Sequence, residues 1–171
     1  GAEISRSNAV TVRVTAPTGA EATVWARIGA HRDAWDYLSY QEEPGGLPAS
    51  LKTLIEEYPN SPYFQRARFQ QLAGWAGAAV RGCDPDRAGP CFSPPAEQLA
   101  AAIRHHAASV IPRVQPILVP GNPWAPEALR TLSYLQAVAG DQAAHIGTLR
   151  RLAQEFPDRK AGRWAIAELQ P

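Results

Sequence analysis

The sequence has no methionine and is poor in lysine. Lys and Arg together number 17 among 171 residues, yet Lys52 and Lys160 are the only lysines. The absence of methionine means that the chain does not begin at its own initiator, so we expect a processed mature form or a piece excised from a longer protein. The scarcity of lysine indicates a base-composition bias of the genome rather than a function.

The chain also lacks an excess of charge and a long apolar run. Its 17 basic and 16 acidic residues give a formal net charge of +1. Nucleic-acid-binding domains usually carry a basic surplus, so the balance argues against nucleic acid as a partner. No run approaches the roughly 18 apolar residues of a transmembrane helix. The remaining composition, 45% hydrophobic and 19% charged, is typical of one medium-sized globular domain.

Motifs of the common enzymes and metal sites are missing as well. The sequence contains no H-E-x-x-H, G-x-S-x-G, Walker or G-x-G-x-x-G pattern. His105 and His106 are adjacent, and neighbours on a helix point about 100° apart, which prevents them from sharing a metal. We therefore expect no enzymatic activity, no cofactor and no metal.

Cysteine occurs twice, at Cys83 and Cys91, and the residues between them include two prolines and a glycine. A metal site needs about four nitrogen or sulfur ligands, which this loop does not offer. The spacing favours a disulfide that closes a short loop, with two free thiols as the alternative. Because disulfides persist in oxidising compartments, a disulfide here predicts an extracytoplasmic location, periplasmic or secreted.

The N-terminal region has the pattern of a β-strand. Val10, Val12 and Val14 alternate with polar residues over 9–15, and Pro17 ends the pattern. A single strand cannot form a sheet. We therefore expect residues 1–17 to be a strand or ordered tail, with the end of a preceding β-domain as the favoured interpretation.

From residue 18 to residue 171 the periodicity is helical. Thr18 and Glu21 have the spacing of a capping box at the first helix. Ser61 followed by Pro62 is typical of a helix start. Five prolines in 112–126 predict an extended connector there. The remaining helices are expected near 33–38, 48–58, 62–80, 95–110, 126–139, 142–156 and 160–170.

Two stretches of the helical part repeat each other. Residues 51–60 match residues 149–158 with identical Leu, Leu, Glu and Pro at corresponding positions, and Ala67 aligns with Ala165. The offset is close to three periods of about 34 residues, the length of one helix–turn–helix unit. Such a unit has an apolar face that needs a neighbouring unit, so hairpins of this kind stack as a solenoid.

At these residues the chain resembles the tetratricopeptide-repeat (TPR) family. The clearest unit is 126–159, where Gly140-Asp141 stands at the turn between helices and Pro157 ends the second helix. The packing positions of its first helix hold Ala128, Leu129, Leu132 and Ser133. The ending Glu-Tyr/Phe-Pro-Asn/Asp is similar to repeats of bacterial extracytoplasmic scaffolds. The chain departs from the family at Leu135-Gln136 and His145, and 81–125 shows no repeat.

The resemblance implies an all-α fold of stacked antiparallel helical hairpins, a TPR-like solenoid. In this family the first helices of successive hairpins line a groove that holds a partner's peptide. We accordingly expect a non-catalytic protein-interaction scaffold of an extracytoplasmic bacterial protein, with a protein or peptide as partner. The candidate contact residues are Tyr63, Arg66, Gln70, Trp124, Glu127, Arg130 and Tyr134.

Two other functions stay open at this point. The chain suits a helical accessory domain of a larger secreted enzyme, and it suits a carbohydrate or cell-wall binding module that uses exposed tryptophans. Trp25, Trp75 and Trp164 keep helical step with other apolar residues, which predicts that they belong to the core. Trp124 stands beside Pro123 and near Pro126, so we expect it to be partly exposed.

Overall fold

The computed structural model describes residues 16–40, 47–59, 61–87 and 90–170, and within these ranges all regular structure is helical. The strand predicted over 9–15 lies outside the described residues. The α-helices are α1 (Ala20–Gly29), α2 (Arg32–Tyr40), α3 (Ala49–Glu57), α4 (Pro62–Ala79), α5 (Ala96–Val110), α6 (Ala125–Ala139), α7 (Gln142–Glu155) and α8 (Lys160–Glu168). In this part of the chain no helix is long and apolar enough to cross a bilayer. The prediction of a helical domain is confirmed for the described residues.

The proline-rich connector was predicted wrongly in its first half. Residues Ile111–Ile117 continue from α5 as a 3-10 helix, with Pro112 in the first turn and Pro116 inside it. A short helix tolerates a proline in its first turn, where the missing amide would have had no partner. Within the predicted connector, only the residues from Leu118 up to the start of α6 are irregular.

The capping box predicted at α1 does not form. Gly19 is the N-cap residue, with φ at 59°, and no side chain caps the helix. Glu21 instead accepts a hydrogen bond from the Ser61 hydroxyl at 3.0 Å. Ser61 is the N-cap residue of α4, as predicted, but its side chain makes no cap bond there. Glu21 and Ser61 therefore bond to each other across two helices instead of capping the helices to which they belong.

The apolar core consists of two clusters that share α4. One cluster is built from α1, α2, α3 and the first half of α4, and includes the fully buried Phe64 and Ala67. The other is built from the second half of α4 through α8 with the 3-10 helix, and includes Leu72 and Ala79. The 18 residues of α4 thus connect both clusters along one helix.

The repeat found in the sequence has a common local structure. Tyr58 and Phe156 follow the last residues of α3 and α7, with φ, ψ of −128°, 62° and −135°, 46°. Their amides donate to the carbonyls of Leu54 and Leu152 at 2.9 and 3.1 Å. Three pairs of identical apolar residues are buried in both copies: Leu51 and Leu149, Leu54 and Leu152, Ala67 and Ala165. The two turns are therefore equivalent in conformation as well as in sequence.

The two copies differ at the residue that enters the core after the turn. Phe64 in α4 corresponds to Gly162 in α8, and both are buried. A Cβ atom on Gly162 would clash with the backbone carbonyl of Phe156. The glycine therefore lets α8 approach the end of α7 more closely than any other residue would permit.

The cysteines form the predicted pair. Cys83 and Cys91 lie at disulfide distance, with their Cα atoms 5.7 Å apart. Gly82 precedes the loop with φ at 73° and lies directly against Leu99 and Pro94. Cys83 is buried, whereas Cys91 is exposed. The loop is thus tied to the helical body at the Cys83 end.

Candidate functional site

A groove of about 550 Å³ lies beside the irregular segment that precedes α6. Residues 118–123 line it, and we call them the proline-rich wall; Ala125, Pro126 and Leu129 of α6 line it as well. The end of α7 and the following turn contribute Arg151, Glu155, Phe156 and Arg159, which we call the rim. This volume falls in the usual range of ligand sites, roughly 300–1,000 Å³. The sequence had not pointed to this groove.

Asn122 holds the proline-rich wall in place. Its side-chain amide donates to the carbonyl of Ile117 at 2.9 Å, and its Oδ1 accepts from the amide of Trp124 at 2.9 Å. The residue is 5% exposed, so both bonds are shielded from water. Because Asn122 spans the irregular segment from one end to the other, the wall is pre-formed. The sequence predicted an extended connector here and did not indicate the partners of the asparagine.

The rim of the groove carries two arginines, of which one has no ionic partner among the residues that the structure describes. Arg151 is paired with Glu155, with Nε and Oε1 2.8 Å apart. Arg159 forms no ion pair with any residue in the described ranges. Apolar side chains also line the groove. Among them are Phe156, which is half-buried, and Val119, which is 45% exposed. A fitting ligand has an apolar body and a negatively charged group.

Three of the predicted contact residues share one face of α6. Glu127, Arg130 and Tyr134 follow each other at helical spacing, and Arg130 forms an ion pair with Glu127 at 3.2 Å. Tyr134 is 53% exposed. The structure therefore places these three side chains together on a face of α6 that borders solvent.

The three predicted contact residues on α4 do not share the solvent-exposed surroundings of those on α6. Tyr63 packs against the first core cluster, with its ring 5.3 Å from that of Trp25. Arg66 and Gln70 are half-buried, and the Oε1 atom of Gln70 is buried without a hydrogen-bond partner in the described part of the chain. Tyr63 thus lies with the first helices, whereas the α6 face belongs to the helices of the second cluster.

Trp124 positions the groove rather than lining it. Its ring stacks on Phe69 of α4, with centroids 5.1 Å apart and planes 13° apart. The side chain is half-buried and packs against the second core cluster. Together with the bond from its amide to Asn122, this stacking anchors the proline-rich wall to α4.

Three of the four histidines contact neighbouring residues of the helices. The rings of His105 and His106 lie edge to face with centroids 5.2 Å apart. His145 of α7 lies with its Nδ1 atom 2.9 Å from the hydroxyl and 2.9 Å from the carbonyl of Ser133 in α6. Within the described ranges, no three His, Cys, Asp or Glu residues are grouped so that they could hold a metal ion.

Over the residues that the structure describes, the protein is a packed set of helices with a largely apolar cleft and a basic rim. Comparisons of the chain with protein-family models, with curated proteins and with solved structures found no match.

Proposed function

We propose that the chain is a non-catalytic protein-interaction module whose helices are arranged as in the TPR family. The packing order supports this proposal. From α4 to α8 each helix packs on the next, and α4 also packs on α6 and α6 on α8. In a solenoid of hairpins each repeat contacts its neighbours, and every second helix forms one continuous layer. The layer made by α4, α6 and α8 corresponds to the first helices that line the groove in that family.

The observation that carries the proposal is the pre-formed groove beside residues 118–123. Apolar residues of the groove lie beside Arg159, which forms no ion pair within the described part of the chain. An extended peptide with an apolar side chain next to a carboxylate matches both properties. Because Asn122 already holds the wall, binding would not have to order it, and pre-organisation of this kind favours affinity.

A random peptide library displayed on phage tests the function and the site together. Panning against the wild-type protein is expected to enrich peptides that carry a carboxylate beside an apolar residue. Their dissociation constants are then measured by fluorescence anisotropy on purified variants. In Arg159→Glu we expect binding at least about tenfold weaker, because the substitution places like charges opposite each other. Arg150→Glu is the matched control, since it makes the same charge change on an exposed residue of α7 outside the groove.

Two results would contradict the proposal in different ways. If no peptide is enriched, the chain is not a peptide-binding module. If enriched peptides bind Arg159→Glu normally but lose affinity for a protein with both Arg66→Ala and Arg130→Ala, the function is right and the groove is wrong. The partner would then bind the faces of α4 and α6 that the TPR resemblance implies.

We also propose that the protein works outside the cytoplasm. The support is the Cys83–Cys91 pair at disulfide distance, because disulfides are rare in reducing compartments. The intact mass of natively produced protein, alkylated with and without prior reduction, tests this. Alkylation of both thiols only after reduction is the expected result. Immediate alkylation of both would remove the support for this location.

A further inference from the structure

Three aromatic side chains from three helices meet at the surface of the first cluster. The ring of Trp25 in α1 lies 5.2 Å from that of Trp35 in α2 and 5.3 Å from that of Tyr63 in α4, measured between centroids. We call these three residues the aromatic surface. None of them lines the groove described above.

The exposure of Trp25 contradicts the sequence-based prediction that it belongs to the core. Val24 and Ile28 take the buried positions of α1, and Trp25 projects about 100° away from Val24. As a result Trp25 is 41% exposed and Trp35 is 39% exposed. Single exposed apolar residues are ordinary, whereas two adjoining indoles with this exposure form a continuous aromatic patch.

Hydrogen-bonding groups border the aromatic surface. Glu21 lies one helical turn before Trp25, and its carboxylate is held by the Ser61 hydroxyl at 3.0 Å. On α2, Arg32 and Asp36 form an ion pair at 3.6 Å on either side of Trp35 in the sequence. Arg66 lies one helical turn after Tyr63 on α4. These four charged groups sum to zero, so the border offers donors and acceptors without an excess of either sign.

We infer that the aromatic surface binds an uncharged oligosaccharide. A pyranose ring has an apolar face of C–H groups that stacks on an exposed indole, and its hydroxyls bond to carboxylates at the edge of the ring. The indole planes of Trp25 and Trp35 meet at 77°, so they offer differently oriented faces to neighbouring sugar units. A border without net charge offers no electrostatic attraction to acidic glycans. This activity is additional to peptide binding and does not depend on it.

Titration with uncharged oligosaccharides of the cellulose, chitin and starch types tests the inference. Binding is followed by the intrinsic tryptophan fluorescence and by isothermal titration calorimetry. We expect binding by the wild-type protein to at least one of the three types, and a loss of about tenfold or more in Trp35→Ala, since aromatic stacking is worth about this factor. Tyr134→Ala is the matched control, because it removes an exposed aromatic residue from α6, away from the surface.

Each outcome of these titrations either supports or overturns the inference. Absence of binding to all three oligosaccharide types overturns the inference, and so does binding that persists in Trp35→Ala. If a choline salt or an acidic oligosaccharide binds at Trp35 while the neutral ones do not, the surface recognises charge and the inference is wrong. Trp25→Phe, which keeps a ring beside Tyr63, serves as a second variant if Trp35→Ala does not fold. Far-UV circular dichroism of each variant establishes folding.

Discussion

The guanidinium of Arg113 forms a two-bond fork with the carboxylate of Asp86, 27 residues earlier, with Nη1 and Oδ1 2.6 Å apart. The same guanidinium lies 4.7 Å from the centroid of the Trp75 ring. Asp86 belongs to the loop closed by Cys83 and Cys91, and Arg113 to the 3-10 helix. The fork therefore attaches the disulfide loop to the helices of the second core cluster, and the aromatic ring keeps the arginine in place.

Replacing Asp86 with asparagine is expected to lower the free energy of unfolding by about 1 kcal/mol. This value is the upper end of the range that exposed ion pairs contribute to stability. The hydrogen bonds from Arg113 lower the pKa of Asp86. A lowered pKa stabilises the fold above the ordinary carboxyl pKa of about 3.9, and this contribution is lost as the pH falls through the folded-state value. The difference between wild type and Asp86→Asn should therefore be constant from about pH 5 to 7 and shrink below about pH 4.

Urea denaturation at several pH values measures this difference. Glu56→Gln is the matched control, because Glu56 is exposed and forms no ion pair with the residues that the structure describes. Its effect should stay near zero at every pH. A difference for Asp86→Asn that grows as the solution becomes more acidic would contradict the assigned role of the fork.

Removal of the disulfide is expected to destabilise the protein without changing its fold. The double substitution Cys83→Ser and Cys91→Ser should cost about 2–3 kcal/mol, because the bond no longer restricts the unfolded chain. Guanidinium denaturation of the variant and of reduced wild-type protein should give similar midpoints, both below that of the oxidised protein. Equal midpoints for oxidised and reduced wild type would show that the bond contributes nothing.

Gly162 is expected to be the glycine least tolerant of substitution in α8 and its neighbours. Gly162→Ala should lower the free energy of unfolding by about 3 kcal/mol, because the new Cβ meets the backbone of Phe156 and the two helices must separate. Gly147→Ala makes the same change inside α7, where nothing lies within 4 Å of the new atom. That control should gain about 1 kcal/mol from its higher helix propensity. Similar values for both variants in chemical denaturation would disprove the close approach of α8.

Asn122→Asp tests the wall of the groove with almost no change of shape. The carboxylate cannot donate to the carbonyl of Ile117, and it places a charge at a position that is 5% exposed. We expect a loss of about 1–3 kcal/mol in the free energy of unfolding. Amide hydrogen exchange should increase in residues 118–124. An unchanged exchange pattern there would show that Asn122 does not hold the wall.

Most helix positions followed from local rules. The periodic Leu51, Leu54 and Ile55 form a buried face of α3, and Pro62 begins α4, because hydrophobic spacing and proline geometry act over a few residues. The disulfide pairing was also predictable, since the chain has only two cysteines and a turn-rich segment between them. The proline-rich connector was predicted wrongly because prolines are compatible with a 3-10 turn as well as with extended chain.

The candidate sites depended on long-range contacts that no local pattern contains. Tyr63, a predicted contact residue, packs its ring beside Trp25 of α1, a contact that the helical spacing of α4 does not indicate. Glu21 had the spacing of a cap, yet its hydrogen-bond partner is Ser61, which is 40 residues away. The periodicity of α1 also did not distinguish Trp25 from its buried neighbours, because both kinds of residue are apolar.

Composition and local pattern alone therefore established the helical structure of the described residues, the repeated helix–turn unit and the one cysteine pair. These properties follow from hydrogen bonds, proline geometry and side-chain periodicity within short segments. Tertiary structure alone decided that two clusters share α4, that a groove lies beside Asn122, and that Trp25 and Trp35 stand at the surface. Burial and pairing of each side chain depend on which helices pack together, and residues far apart in the sequence determine that packing.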